Sequence, residues 1–223
     1  MKFLQFIKYP ESSDELHEFS IKEFLKLCSF YFLAAIAIGI MIAPFASLGL
    51  VPPNKNSLLA ENFEPLALFF YMVLIGPFFE EAIFRLNLKT NKVNLISSLL
   101  IFLGFLAYQF FIKNSVGYLY KITLVFIVVI LIFHLKYFVK LNEKKHFKLM
   151  FYFSAVAFGF MHVFNFGELT LTTLLLFPLI TMPQIIMGFI CGYLRINYGF
   201  IYGLGFHSII NFIAFTFMIL LKS

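Results

Sequence analysis

The chain is built from apolar runs close to 20 residues long, the length an α-helix needs to cross a bilayer at about 1.5 Å per residue. Seven are read: Leu27 to Leu50, Pro65 to Leu88, Val93 to Ile112, Tyr118 to Leu135, Phe147 to Phe166, Leu169 to Leu194 and Phe200 to Leu221. Turn-forming residues such as Val51-Pro52-Pro53-Asn54-Lys55-Asn56-Ser57 separate the first two and cannot continue a helix. The expectation is an all-α, polytopic transmembrane helical bundle of about seven spans, residues 25–223, preceded by a cytoplasmic or interfacial segment, residues 1–24. A hydrophobic share of 61%, a charged share of 13% and a mean hydropathy of +0.93 exclude an ordinary soluble domain.

The net charge of +6 is not a nucleic-acid footprint, because the lysines sit in short segments between apolar runs. With the N-terminus in the cytoplasm, thirteen Lys and Arg fall on inner segments and four on outer ones, which sets the expected orientation of a multi-pass integral membrane protein. Cys28 and Cys191 both lie inside apolar runs and suggest neither a disulfide framework nor a Cys-based metal site. Met1 to Pro10 has only a broken apolar stretch followed by acidic residues, so a retained N-terminus is expected. Phe3 to Phe24 reads as an interfacial helix or a solvated tail. Gly188-x-x-x-Gly192 and Gly199-x-x-x-Gly203 are small-x-x-x-small patterns that read as helix packing. Pro77, Pro178 and Pro183 are expected to bend their helices.

Within the second run stands Gly76-Pro77-Phe78-Phe79-Glu80-Glu81-Ala82-Ile83-Phe84-Arg85. A charged side chain at the centre of a membrane helix costs roughly 2.5 to 3.5 kcal/mol on insertion scales, so such groups are paired, face a cavity and mark function. Glu81 and Arg85 stand at i and i+4 and can form an ion pair, while Glu80 is rotated about 100° away. A carboxylate held in low dielectric without its own counter-ion accepts a proton readily, as a general base must. Packing alone would give a buried Glu–Arg pair and a spare glutamic acid.

Two later spans carry the other polar groups suited to chemistry: Phe158-Gly159-Phe160-Met161-His162 with Asn165 one turn on, and His207-Ser208-Ile209-Ile210-Asn211, where i, i+4 spacing puts imidazole and carboxamide on one face. Counted from the cytoplasmic ends of the runs, Glu80 lies roughly 12 Å deep, His207 roughly 11 Å and His162 roughly 22 Å, so His162 is the weakest fit to a shared site. His17, His134 and His146 are assigned no chemistry. Gln109, Gln184 and Glu168 line the cavity or sit at interfaces.

In chain order, Glu80-Glu81-x-x-x-Arg85, Phe158-x-x-x-His162 and His207-x-x-x-Asn211 resemble the three signature motifs of the CPBP intramembrane proteases. That family includes type II CAAX prenyl endopeptidases and bacterial Abi proteins linked to bacteriocin self-immunity. The resemblance covers about Leu66 to Ala214 and implies an endopeptidase of the bacterial inner membrane acting on a hydrophobic or lipidated peptide or protein. It implies that Glu80 activates water with help from His162, that His207 and Asn211 hold the oxyanion, and that Glu81 and Arg85 support the site. No cofactor is required in that scheme; Zn2+ held by Glu80, His162 and His207 is the alternative. Two departures stand out: the helix pair 93–139 inserted between the first two motifs, and Leu86 where many members have Gly. From other classes, a proton-coupled transporter and a non-catalytic immunity or scaffold protein also use intramembrane carboxylates.

Overall fold

The computed structural model describes residues 2–13, 15–51, 64–89, 92–107, 144–166 and 171–220. The described elements are all helices: α1 Lys2–Lys8, α2 Ile21–Ser47, α3 Pro65–Phe69, a π-helix Phe70–Ile75, α4 Gly76–Phe84, a 3-10 turn Leu86–Leu88, α5 Lys92–Ala107, α6 Lys144–Met161, a 3-10 turn His162–Asn165, α7 Leu171–Ile180, α8 Met182–Asn197 and α9 Phe200–Leu220. The expected fourth span, Tyr118 to Leu135, lies outside the described residues, as do Gln109, His134 and Glu168.

Among the described residues, three stretches are long and apolar enough to cross a membrane, Ile21–Ser47, Pro65–Leu88 and Phe200–Leu220, and a fourth if α7 and α8 count as one span. The expectation of seven is therefore met only as a bundle of several apolar helices. The third run is described as helix from Lys92 to Ala107, its remainder lying outside the described residues, and the fifth run turns to 3-10 after Met161. The sixth run is bent by 43° between α7 and α8. The break falls at Thr181, whose hydroxyl and backbone N–H both bond the Phe177 carbonyl, each at 3.0 Å. Pro183, two residues into α8, brings no N–H to continue the ladder. Pro178, by contrast, is carried within α7. Large apolar side chains left exposed on α2 (Leu33, Ile36, Ile40), on α3 and the π-helix (Leu66, Phe70, Leu74) and on α9 (Ile201, Phe217) suit a lipid surround.

At the N-terminus, where an interfacial helix or a tail is expected, the structure has a short helix. Helix α1 is packed into the bundle: Phe3 is fully buried, edge-on to Phe30 and Tyr193, and Phe6 meets Phe151 and Tyr193. The Tyr152 hydroxyl donates to the Ile7 carbonyl at 2.5 Å. Helix α2 then begins at Ile21 rather than Leu27, because Ser20 accepts from the Glu23 backbone N–H at 3.3 Å, the N-cap bond of a Ser-x-x-Glu start.

The core is organised on α8, which packs on α6, α9 and α2. Its two glycines permit the approach: a Cβ at Gly188 would stand 2.9 Å from the Ala155 Cα and O, and one at Gly192 would stand 2.9 Å from the Phe151 ring. The expected packing role of Gly188 and Gly192 follows directly. Gly199 instead serves the turn from α8 into α9, at φ 109°, where L side chains are strained.

Candidate functional site

The site grows from α4, and four successive carbonyls at and just past the end of that helix, Ile83 to Leu86, accept from side chains of other elements. The Ser98 hydroxyl of α5 donates to Ile83 O at 2.7 Å, and the Ser154 hydroxyl of α6 to Phe84 O at 2.5 Å. From α8, buried Arg195 donates from Nε to Arg85 O at 3.3 Å and from Nη2 to Leu86 O at 3.5 Å. Carbonyls at a helix C-terminus have no partner within the helix, and a cation is favoured there. Side chains from three neighbouring helices thus fix where α4 stops.

At the other end, α4 is preceded by the π-helix. The Gly76 N–H bonds the Tyr71 carbonyl, five residues back, and Pro77 has no N–H to offer. The Met72 carbonyl therefore loses both its α-type and its π-type backbone donor. The Asn211 amide of α9 takes that place, Nδ2 to O, at 2.9 Å.

Between these two fixed ends lie the carboxylates. Glu81 is buried, with Oε1 3.5 Å from Arg85 Nη1 and 3.0 Å from His207 Nδ1. Arg85 is fully buried and lays its guanidinium 3.9 Å from the centre of the Phe158 ring, a cation–π contact in a desolvated setting. Phe158 is also fully buried and meets His162 and His207 edge-on, with ring centroids 4.6 and 5.5 Å apart. It thus touches the arginine and both imidazoles.

Glu80 faces the other way around the helix. Its Oε2 is buried, 3.6 Å from His207 Nε2 and 3.8 Å from His162 Nε2, while 37% of the side chain is accessible. His162 Nδ1 lies 2.8 Å from the Phe158 carbonyl. A carbonyl only accepts, and so does the Glu81 carboxylate beside Arg85, so Nδ1 is the donor in both rings. Each imidazole turns its Nε2 toward Glu80. The two Nε2 atoms lie slightly too far from the carboxylate oxygen for direct hydrogen bonds. A water molecule placed against Glu80 Oε2 would be within reach of the rings.

Ligand atoms around a tetrahedral zinc ion stand roughly 3.3 Å apart. Glu80 Oε2 lies 3.6 and 3.8 Å from the two Nε2 atoms, but Glu80, His162 and His207 do not form a group whose ligand atoms all lie within 4.8 Å of one another, and as placed they do not fit such an ion. The Nδ1 bonds to a carbonyl and a carboxylate are the kind that orient metal-binding histidines. Glu81, Cys191 and His207 do bring ligand atoms within 4.8 Å of one another. There, however, Glu81 and His207 are already joined to each other, and the Arg85 charge sits beside them.

The structure thus brings together Glu80, Glu81, Arg85, His162 and His207. The depth mismatch of His162 does not keep it from the site: His162 opens the 3-10 turn after α6, and its Nε2 lies 3.8 Å from Glu80 Oε2. Asn211 shares the face of His207 as expected, but its Nδ2 is committed to main chain. Gln184 has a buried Oε1, and the His17 backbone N–H bonds Asn197 O at 2.7 Å.

Sequence reasoning passed over Ser98 and Ser154, used Arg195 only as one of the inner-side charges, and read Cys191 only as part of an apolar run. Ser154 carried a signal, since it stands four and eight residues before Phe158 and His162 on one helix face. Cys191 is buried against the Gly203 carbonyl, with Sγ to O 3.5 Å. No protein-family model, no curated protein and no solved structure matches this chain.

Proposed function

We propose that this chain is an intramembrane endopeptidase of the CPBP type, hydrolysing a peptide bond in a membrane-associated or lipidated protein or peptide. The observation that carries the reading is Glu80: one oxygen buried against two oriented imidazoles on a side chain that is still 37% accessible. A purely structural carboxylate would be paired and closed off, as Glu81 is.

In this mechanism a water molecule lies against Glu80 Oε2. Glu80 accepts its proton as the water oxygen attacks the peptide carbonyl, and later returns that proton to the leaving amine, which breaks the C–N bond. One of the two rings carries a proton on Nε2 as well as on Nδ1 and keeps it throughout, donating a hydrogen bond toward the negative charge that develops on the carbonyl oxygen while Glu80 stays free as the base. Glu81 orients His207, and Arg85 neutralises Glu81, so neither takes part in bond making.

The test is turnover of a prenylated C-terminal peptide and a single-span reporter by purified protein in liposomes. Glu80→Gln preserves shape and removes the base, so cleavage should fall by roughly 100-fold or more with insertion intact. Undiminished cleavage by that variant defeats the proposal. Loss of cleavage with a chelator, restored by zinc, would select the metal route.

A further inference from the structure

We propose that Asn211 is a positioning residue that caps the backbone defect made by Pro77 and thereby sets the direction of Glu80. The proposal rests on the protease reading only for its turnover arm. Its structural ground is the missing donor at Met72: the Gly76 N–H is taken by Tyr71 O, residue 77 has no N–H, and Asn211 Nδ2 supplies the bond at 2.9 Å.

The consequence for Glu80 is geometric. A π-helix holds one more residue in its turn than an α-helix does, and one residue corresponds to about 100° of rotation. If Phe70–Ile75 relaxed to α geometry, the residues after it would rotate relative to those before it, carrying Glu80 away from His162 and His207. The end of α4 is already fixed by Ser98, Ser154 and Arg195. The phase of its beginning depends on what holds the π turn open. Gly76 contributes, since a Cβ there would stand 3.0 Å from Tyr71 O.

Helix α9 therefore grips α4 and its π turn at two points one helical turn apart. His207 holds Glu81 by a side-chain bond, and Asn211 holds Met72 by a main-chain bond. The i, i+4 spacing of His207 and Asn211 matches these two grips. In this account the carboxamide acts through the backbone and need not touch the reacting carbonyl.

Pro77 makes the idea testable, because replacing it with alanine restores an N–H in register for Met72 O. The protein, labelled with 15N-histidine, is compared in detergent micelles as native chain, Glu80→Gln, Asn211→Ala and Pro77→Ala/Asn211→Ala. His162→Gln and His207→Gln assign the two ring signals. Asn211→Ala should move both Nε2 signals toward those of Glu80→Gln and lower turnover by roughly 100-fold, the scale of a catalytic group displaced by about 1 Å. The double variant should return the signals to native positions and turnover to within a few-fold of native. If Asn211→Ala does not fold, a double variant that folds with native signals supports the cap equally.

Failure of Pro77→Ala to restore the spectrum of Asn211→Ala overturns the proposal, as does a double variant that folds no better than the single one. Restored signals without restored turnover would assign Asn211 a direct contact with the reacting group and overturn the purely positioning role. Restored signals in proteins of which none, including the native chain, cleaves any reporter would leave the cap standing and defeat the protease reading instead.

Discussion

Arg85 shows how much one side chain settles in an apolar setting. Its charge is answered by Glu81 at 3.5 Å, and its flat face rests 3.9 Å from the centre of the Phe158 ring. A lysine keeps the charge but loses the planar surface that stacks. Arg85→Lys should therefore lower stability by about 2 kcal/mol, seen as a lower unfolding temperature in detergent, and should reduce turnover because Phe158 also backs both imidazoles. An unchanged melting point would show that charge alone matters at this position. The Glu81–Arg85 pair was legible in the sequence because i, i+4 spacing places both groups on one face of one helix. The partner of Asn211 was not legible. A free main-chain carbonyl leaves no letter of its own, and Pro77 signalled a bend without saying which carbonyl would lack a donor.

For the helices, the packing of α8 on α6 decides whether the site can assemble. A methyl group at Gly188 would meet the Ala155 backbone at 2.9 Å and Arg85 Nη2 at 3.1 Å, and backbone atoms cannot step aside as a flexible side chain can. Gly188→Ala should destabilise by about 1–3 kcal/mol, the usual cost of overpacking. Gly205→Ala provides the contrast, since a Cβ there meets nothing within 4 Å; it should be neutral or slightly stabilising in thermal unfolding. Equal effects of the two substitutions would contradict the close approach of α6 and α8. The small-x-x-x-small spacing made the Gly188–Gly192 contact readable in advance. The true start of α2 was missed because apolar run length was used as the ruler, whereas Ser20 and Glu23 mark the helix start by a capping bond. The burial of α1 was missed because Phe3 and Phe6, set among charged residues, look like a broken run although they reach the core.

Taken whole, the molecule is a bundle of apolar helices in which α4 is fixed at both ends by its neighbours and carries two adjacent carboxylates with different partners. The identity of the polar residues was readable because so few occur within apolar runs. Their convergence was only partly readable: depth counted along separate runs assumes a common starting plane, and His162 sits beyond the end of α6. What makes the account coherent is that Glu80 meets imidazoles from two other parts of the chain that are distant in sequence. That meeting can be measured without knowing the substrate. Solid-state NMR on protein in lipid, labelled with 13Cδ-glutamate and 15Nε2-histidine, reads the dipolar coupling between the Glu80 carboxyl carbon and each ring nitrogen, with Glu80→Gln and single histidine variants to assign the signals. The account predicts coupling from Glu80 to both His162 and His207, consistent with oxygen–nitrogen separations of 3.8 and 3.6 Å; absence of coupling to either ring in the native protein would contradict it.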